Sequence, residues 1–289
     1  MLVLRYYCAM ITQSRSHSVV ALFLAMILFS TAGLLIKLSQ WDALALNGAR
    51  NIIAAVVILI YLRRPRFTWS RTQIGGAIFY AFTTIAFVQA NRWTTAANAI
   101  FIQFTAPLWV ALFGIWLLGE RPRRIDWLTM VVVGLGMILI FGNELSGEGF
   151  RGNILALMSG MSLALMLISL RKQKGGSPAE TVLLGSLISF AIGLPFILFG
   201  AQPTNAQELG IIVFLGIFQL GIPFIVVTQV VQQLSAIETI LIQTIEPVLN
   251  PIWVFLFVGE RPSLSAIIGA LIVMTAVTVR GIVAAKNGE

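Results

Sequence analysis

Polar side chains recur at helical spacing in an otherwise apolar stretch near the end of the chain. The four residues, spaced i, i+4, i+7 and i+11, are Thr239, Gln243, Glu246 and Asn250. This spacing places them on one face of a helix. A polar face of this kind is costly to expose to lipid, so we expect it to line a wet cavity or to pack against other polar groups. The chemistry it offers is the binding of a polar or charged solute.

Glu246 is the ionisable member of this stripe, and three roles are open to it. As a functional group it holds the ammonium of a substrate or carries a proton during exchange. As a structural group it is protonated and bonds a carbonyl that Pro247 or Pro251 frees. As an ion-pair partner it meets Arg50, which lies about 10 Å inside the outer end of its own helix. We expect Arg50 itself to be structural.

Further polar and aromatic side chains extend the candidate binding site to other segments. Asn98 and Trp109 share one helical face, and Gln103 on the adjoining face matches Gln243 in the second half of the chain. Lys37 lies near the end of its segment, where it either snorkels to the headgroups or contacts a substrate carboxylate. The complete set that we predict to bind substrate is Glu246, Gln243, Asn250, Thr239, Gln103, Asn98, Trp109, Ser30, Lys37, Tyr80 and Gln219.

A second set of residues is predicted to shape the helices rather than to bind. Prolines within apolar segments free carbonyls, and each such kink is either a hinge used during transport or a fixed packing feature. Two Gly-Glu pairs, each at the end of a segment, belong to the same set. Its members are Pro107, Pro223, Pro247, Pro251, Gly119, Glu120, Gly259, Glu260 and Arg50.

The composition shows what kind of element carries these residues. Of the 289 residues, 58% are hydrophobic and 10% are charged, whereas a soluble domain has about 25% charged residues. Most of the chain falls into apolar segments close to the roughly 20 residues that a membrane-spanning helix needs. The ten segments are 19–38, 43–62, 74–90, 97–118, 125–141, 154–170, 181–199, 209–231, 237–258 and 264–285. We therefore predict an all-α integral membrane protein with ten transmembrane helices.

The basic residues indicate the orientation of these spans. Fourteen of the 19 basic residues lie on one side if the N-terminus is cytoplasmic, which follows the positive-inside tendency of membrane proteins. Both termini are then cytoplasmic, as short tails at residues 1–18 and 286–289. The net charge of +8 is explained by this bias and does not indicate a nucleic-acid partner.

A repeated motif divides the chain into related halves. Gly119-Glu120-Arg121-Pro122 recurs 140 residues later as residues 259–262, and Gln103 and Pro107 have counterparts in Gln243 and Pro247. We assign the first repeat to 19–142 and the second to 152–285. Five spans in each half reverse the direction of entry, so the two repeats are inverted. Inverted repeats with interrupted helices suit alternating access around a central cavity, which predicts a transporter.

The repeated Pro and Gly-Glu positions resemble the drug/metabolite transporter superfamily, in its ten-helix form with two EamA-type repeats. The resemblance covers nearly the whole chain and is greatest to YddG-type exporters of aromatic and other neutral amino acids. It implies a bacterial inner membrane, a cavity lined mainly by helices 1, 3, 4, 6, 8 and 9, and export of small metabolites. The two halves differ at this motif: the second has Glu246 where the first has Ala106, and it also has the added Pro251.

Other functional classes are disfavoured by what the sequence lacks. No lysine precedes Ser or Thr as a phosphate-binding loop requires, and the sole histidine, His17, lies in the N-terminal tail. We therefore predict neither an ATP-driven pump nor an enzyme, with no metal and no cofactor. Other metabolites, nucleotide sugars and cationic drugs stay open as substrates, and a channel-like facilitator stays open as a mechanism. The expected partners are lipid and a small-molecule substrate, and the protein is expected to be a monomer.

Overall fold

The computed structural model describes residues 14–142, 149–173, 176, 178–200, 202–258 and 264–286. Within these ranges the chain forms helices joined by short turns, with no β-strand. Seven helical stretches are long and apolar enough to cross a membrane: Arg15–Leu38, Ala43–Leu62, Arg71–Trp93, Asn98–Leu117, Phe150–Lys172, Pro178–Phe199 and Ala206–Gln233. The protein is thus an all-helical, multi-pass membrane protein, as predicted.

Fourteen α-helices follow one another within the described residues. The first half contains α1 (Arg15–Phe29), α2 (Ala32–Leu38), α3 (Ala43–Leu62), α4 (Arg71–Trp93), α5 (Ala96–Gln103), α6 (Ala106–Leu117) and α7 (Arg124–Phe141). The second half contains α8 (Phe150–Lys172), α9 (Pro178–Phe199), α10 (Ala206–Phe214), α11 (Ile222–Gln233), α12 (Ala236–Gln243), α13 (Ile245–Val258) and α14 (Leu264–Lys286). Each of the ten predicted apolar segments is helical apart from the turns at residues 30–31, 104–105, 118 and 244.

Short polar side chains determine where several helices begin. Asp42 accepts hydrogen bonds from the first-turn amides of α3, and Ser70 does the same for α4. Thr95 and Ser235 cap α5 and α12, at positions that are 140 residues apart. Such caps satisfy amides that have no partner inside the helix. The equivalent caps show that the repeat extends beyond the Gly-Glu motif to the start of the preceding helix.

Two predicted spans are each interrupted at equivalent positions. The break between α5 and α6 falls at Phe104 and Thr105, and the break between α12 and α13 falls at Thr244. At each break a threonine hydroxyl bonds the carbonyl three residues earlier, at 2.8 Å in the first half and 2.6 Å in the second. The following prolines, Pro107 and Pro247, lie in the first turn of the new helix, where their missing N–H costs nothing. These prolines therefore begin a helix segment rather than disrupt one.

A third break was not predicted from the sequence. The predicted span 19–38 is in fact two helices, α1 and α2, separated at Ser30 and Thr31. The Ser30 and Thr31 hydroxyls each bond a carbonyl three residues earlier, both at 2.7 Å. Serine and threonine compete with the helix for backbone carbonyls in this way. The predicted span remains one membrane-length helical stretch, Arg15–Leu38, with a local break that needs no proline.

The segment between α10 and α11 is wound as a π-helix. Leu215–Gly221 continues α10 without interruption, and α11 follows with Pro223 as its second residue. Short π-helical stretches hold an extra residue in the helix and are frequent at functional sites. The predicted disturbance at Pro223 is present, but it takes the form of wider turns rather than of a gap.

Helices of the first half pack against helices of the second. α4 packs along α8, α3 packs along α9, and α7 packs along α14. Glycines allow the closest approach between α3 and α9. A methyl group on Gly193 would lie 2.6 Å from Cα of Gly48 and 2.6 Å from the carbonyl oxygen of Leu44. Small residues bring backbones together in this way in membrane bundles, and the result is one interlocked body.

Candidate functional site

A cavity lies between the two halves, about midway along α4 and α8. Its volume is about 60 Å³, enough for a few water molecules but well below the roughly 300–1,000 Å³ of pockets that enclose a drug-sized ligand. The cavity is lined by Phe29, Arg50, Thr83, Thr84, Phe87, Gln103, Leu163, Met166, Gln219, Leu220, Phe224, Val227, Gln243 and Glu246. The walls must therefore move apart to admit a larger solute.

The two broken helices each deliver one glutamine to this cavity. Gln103 is the last residue of α5, and Gln243 is the last residue of α12, at equivalent positions in the repeat. The Gln103 amide donates to the Ser159 hydroxyl at 2.7 Å, and that hydroxyl donates to the Thr83 carbonyl at 3.0 Å. Gln243 is buried, and within the described residues its amide makes no hydrogen bond. The two predicted glutamines thus line the same cavity. Gln103 is held by Ser159, whereas the Gln243 amide is available to a ligand.

Glu246 faces the same cavity without a counter-ion. It is the second residue of α13, directly after the break at Thr244, and it is partly buried. Seven acidic side chains belong to the residues that the structure describes, and Glu246 is the one that neither accepts a hydrogen bond nor forms an ion pair. A carboxylate inside a membrane protein without a partner is unfavourable unless it is protonated or meets a ligand. The site therefore has an unpaired acidic group.

Arg50 supplies a positive charge to the same cavity. It is 2% exposed, and its guanidinium donates to the Asn47 side chain at 3.1 and 3.3 Å and to the Gln219 side chain at 3.2 Å. No acidic side chain among the described residues lies within ion-pair distance of it, Glu246 included. The expected structural contacts are present, but Arg50 also lines the cavity, although its helix is outside the set implied by the family resemblance.

The π-helical segment positions the acceptor that Arg50 uses. Gln219 lies within Leu215–Gly221, and its side chain is buried against the guanidinium. Close contact between this segment and α3 depends on glycine, because a methyl group on Gly216 would lie 2.5 Å from Cβ of Ile53. Gln219 thus lines the cavity, and the wider turns give its side chain its direction.

Several cavity residues were missed by sequence reasoning. Thr83 and Thr84 form an adjacent hydroxyl pair in the middle of α4, and the Thr83 hydroxyl is buried without a hydrogen-bond partner in the described structure. Phe224 lies in the wall, with its ring 5.0 Å from that of Phe29 in an edge-on contact. A pair of hydroxyls inside an apolar span was the signal that would have identified the α4 contribution.

Three predicted binding residues lie away from the cavity, nearer the helix ends. The Asn98 amide donates to the Thr94 and Asn153 side chains at 3.0 and 3.1 Å. Trp109 donates to Thr105 at 3.2 Å. Thr239 bonds the carbonyl of Ser235, one turn earlier, at 2.9 Å. Of these bonds, the one from Asn98 to Asn153 joins two helices, α5 and α8, whereas Trp109 and Thr239 bond residues within a turn of themselves. None of the three side chains lines the cavity.

Three more predicted residues have structural partners. Ser30 accepts a hydrogen bond from the Trp253 indole at 2.7 Å, across the break between α1 and α2. The Lys37 ammonium is exposed and donates to the carbonyl of Thr94 at 3.2 Å. The Tyr80 hydroxyl donates to Asn51 at 3.1 Å, and its ring lies behind the cavity-lining Phe224, 4.8 Å away. The side chains of Asn250 and Pro251, and all of Gly259 and Glu260, lie outside the described residues.

Side-chain bonds tie the bundle together at the end where α8 terminates, which we call the Arg171 end. Gly119 has a φ of +71°, a backbone conformation that suits glycine. This turn directs Glu120 towards Arg171, and the two form an ion pair at 2.8 Å. The Glu120 carboxylate also accepts a hydrogen bond at 3.1 Å from the amide of Ala236, the first residue of α12. Glu120, at the end of the first-half helix α6, therefore connects α8 and α12 of the second half.

A buried ion cluster completes the Arg171 end. Arg280 of α14 pairs with Asp126 of α7, and it also approaches Glu238 of α12 at 3.7 Å. Glu238 in turn pairs with Arg15 of α1. These charges link four helices in a row, because Arg280 and Glu238 each contact two partners on other helices.

The opposite end, which we call the Glu208 end, is tied mainly through backbone groups. Glu208 accepts from the Ser39 hydroxyl at 2.8 Å and from the amide of Gln40 at 2.9 Å. Arg92 donates to the carbonyls of Ser39 and Trp41 at 2.8 and 2.9 Å. The cavity thus lies between two bundle ends that are both held by side-chain bonds.

Comparisons with known proteins place the chain among transporters. The profile of the EamA-like transporter family matches residues 17–142 and again residues 150–280. An uncharacterised transporter of Archaeoglobus fulgidus is 24% identical over 263 residues, which cover 90% of this chain and 94% of the relative. The pseudopaline exporter CntI of Pseudomonas aeruginosa is 24% identical over 238 residues, or 78% of this chain and 82% of CntI.

Two further comparisons concern a shorter match and the fold. The threonine/homoserine exporter RhtA of Escherichia coli strain K12 is 26% identical over 153 residues, 52% of this chain and 50% of RhtA. A crystal structure with 20% sequence identity has a TM-score of 0.79 and matches 96% of this chain and 100% of its own length. At that identity the likeness shows a shared fold and nothing about the substrate.

Proposed function

The chain belongs to the EamA-like transporter family, and from this premise we propose that it is a secondary transporter that exports neutral amino acids by alternating access. The family and the relatives are transporters rather than enzymes. The observation that carries the proposal is a small polar cavity, with one acidic and one basic side chain, between two bundle ends that are both tied. A carrier needs such an enclosed site, whereas a channel needs a continuous path.

The proposed topology has ten spans in two inverted repeats, at 19–142 and 152–285, with cytoplasmic tails at 1–18 and 286–289. Three of these spans, formed by α7, by α12 with α13, and by α14, come in addition to the seven stretches described above. The equivalent caps and the equivalent helix breaks, 140 residues apart, support the duplication. The pairing of each half's helices with those of the other half supports it as well. The distribution of basic residues supports the cytoplasmic location of both termini. The bacterial inner membrane is proposed from the family.

Cysteine labelling tests the inversion at two equivalent positions. Arg124 begins α7 and Leu264 begins α14, and both side chains are exposed. In a Cys8→Ser background, we expect an impermeant maleimide added to whole cells to label Leu264→Cys and to leave Arg124→Cys unlabelled until the membrane is opened. Labelling of both positions from the same side would contradict the inverted arrangement and would leave the amino-acid substrate to be tested separately.

Alternating access is supported by the position of the helix breaks. Gln103, Gln243 and Glu246 are all within two residues of a break, so a change of angle between the half-helices would move them directly. Discontinuous helices at the midplane are a common way to build transport sites. We propose that Pro107, Pro223 and Pro247 lie at the points of bending, and that the tied ends open in turn.

The substrate class is proposed from the relatives and the cavity together. RhtA, named as a threonine/homoserine exporter, supports small neutral amino acids, although the match covers half of each chain. CntI, named as a pseudopaline exporter, matches more of this chain and favours a larger metabolite as the second candidate. The 60 Å³ cavity requires less opening for the smaller solute, which favours the amino acid.

Counterflow in proteoliposomes tests the function. We expect vesicles loaded with unlabelled threonine to accumulate labelled threonine transiently, with saturation and without ATP. Phenylalanine, pseudopaline, a nucleotide sugar and a cationic drug are compared as loading solutes, and empty liposomes are the control. Counterflow driven by another solute and not by any amino acid would overturn the substrate class. A steady conductance without counterflow would overturn the carrier mechanism.

A further inference from the structure

We infer that Arg50 and Glu246 are the two ends of one charge clamp that selects zwitterions: Arg50 binds the carboxylate and Glu246 binds the ammonium of the same substrate molecule. This inference rests on the proposed function, because it specifies which chemical feature of an amino acid the cavity recognises. It also changes the role of Arg50, which the sequence indicated to be structural only.

The cavity contains two opposite charges that do not satisfy each other. Both side chains line it, yet no ion pair joins them within 4.0 Å. Each also lacks a partner of opposite charge among the described residues. An isolated ion removed from water carries a penalty of several kcal/mol. An occupant with one negative and one positive group would compensate both at once.

The geometry around Arg50 favours a carboxylate at its free edge. Its described bonds go to Asn47, Gln219 and the carbonyl of Thr84, and they use four of the five N–H donors. These acceptors fix the plane of the guanidinium and are all neutral. One N–H donor is therefore left for an anionic ligand, and a charge-assisted bond from it to a carboxylate oxygen is stronger than a bond to a neutral acceptor.

The surroundings of Glu246 favour an ammonium. Its carboxylate is unpaired, and the buried Gln243 amide one turn away also lacks a partner in the described structure. The Thr83 hydroxyl is a third group with an unused hydrogen bond. An ammonium has three donors and no acceptor, so carboxylate, amide oxygen and hydroxyl oxygen form a suitable set of acceptors.

Singly charged solutes fit this pair less well. A cation held by Glu246 would place a second positive charge in the same small cavity as Arg50. An anion held by Arg50 would leave Glu246 facing a like charge. In a poorly screened interior such charges interact strongly, so a zwitterion is preferred over a cation or an anion of the same size and shape.

The test uses three solutes that differ in charge and by one small blocking group: L-threonine, its methyl ester, which is a cation, and N-acetyl-L-threonine, which is an anion. Each competes against labelled threonine in counterflow, and each is also measured by the rise in melting temperature of the purified protein. For the wild type we expect the two blocked solutes to compete roughly 10- to 100-fold more weakly than threonine, the contribution of one charge-assisted hydrogen bond.

The variants should change selectivity in opposite ways. Arg50→Gln should weaken the binding of threonine and of N-acetyl-threonine, which share the carboxylate, and leave the binding of the methyl ester unchanged. Glu246→Gln should weaken the binding of threonine and of the methyl ester, which share the ammonium, and leave the binding of N-acetyl-threonine unchanged. A purely structural role would weaken all three solutes together. If Arg50→Gln does not fold, Arg50→Lys keeps the charge and should weaken only the two carboxylate-bearing solutes.

Matched controls remove the same charges outside the cavity. Arg92→Gln and Glu208→Gln alter side chains at the Glu208 end, and the ratios among the three solutes should be unchanged. If the wild type exchanges threonine but both cavity variants keep the wild-type ratios, the clamp is overturned and the transporter stands. If no amino acid is exchanged or bound, the proposed substrate class fails, and the clamp fails with it.

Discussion

Replacing Gly160 with leucine is expected to abolish transport while Gly134→Leu leaves it nearly intact. A first side-chain carbon on Gly160 would lie 2.5 Å from the carbonyl oxygen of Gln103 and 3.2 Å from its Cα. These are backbone atoms at the end of α5, so they cannot swing aside as a flexible side chain would. The substitution must push α5 away from α8, and it displaces a glutamine that lines the cavity.

The smaller change, Gly160→Ala, gives a graded version of this test. Overpacking by one or a few methyl groups costs about 1–3 kcal/mol, so we expect a lower melting temperature in detergent and a reduced counterflow rate. Gly134 is the matched control because a methyl group there meets nothing within 4 Å. Wild-type transport by Gly160→Leu would show that the contact between α5 and α8 is not needed for the site.

The second large effect is expected at the Arg171 end, where Asp126→Ala should lower the free energy of unfolding by about 3–5 kcal/mol. The Asp126 and Arg280 side chains are 2% and 5% exposed. Removing the acid therefore takes from a buried guanidinium the carboxylate that it pairs with, and leaves the Glu238 carboxylate at 3.7 Å. The loss should appear as a marked drop in melting temperature of the purified protein.

A double substitution separates the loss of the ion pair from the cost of leaving one charge buried without its partner. Asp126→Ala combined with Arg280→Met removes both charges, and we expect it to recover part of the stability that either single change loses. Glu180→Gln is the control, since its carboxylate accepts from the exposed amide of Arg66 at 3.3 Å. Equal melting temperatures for Asp126→Ala and Glu180→Gln would contradict a stabilising role for the pair.

The sequence was most informative about features that repeat. The offset of 140 residues led to Gln103 and Gln243, and both line the cavity. Glu246 was identified because an acidic group inside an apolar span is too costly to keep without a role in function or packing. Such inferences are possible from one sequence because they depend on residue type and on depth in the helix, and both can be read along a single chain.

The polar stripe of the second half does not continue along one helix, for a geometric reason. Thr239 and Gln243 belong to α12, whereas Glu246 belongs to α13, and the break at Thr244 separates the two helix axes. A face calculated for one straight helix does not continue across such a break. Thr239 therefore bonds a carbonyl at the start of its own helix. Its spacing from Glu246 does not predict a shared face, because the helix is interrupted between them.

Arg50 shows what depth alone does not reveal. Its position eight residues into α3 was clear from the sequence, but the direction of its side chain depends on which way the helix is turned. That rotation is set by contacts such as Gly48 against Gly193, which bring α3 close to α9. Because contacts between distant parts of the chain set this rotation, the local sequence of α3 alone does not predict it.

The π-helical segment also makes chain length itself a determinant of the site. A wider turn holds one residue more than an α-helix of the same height, and each residue corresponds to about 100° of rotation. Deleting Ile217 would leave a hydrophobic helix of nearly unchanged reach, yet it would re-aim Gln219 away from its partner on α3. Between Glu208 and Pro223, a missing residue is therefore more damaging than most replacements, the reverse of what a surface loop tolerates.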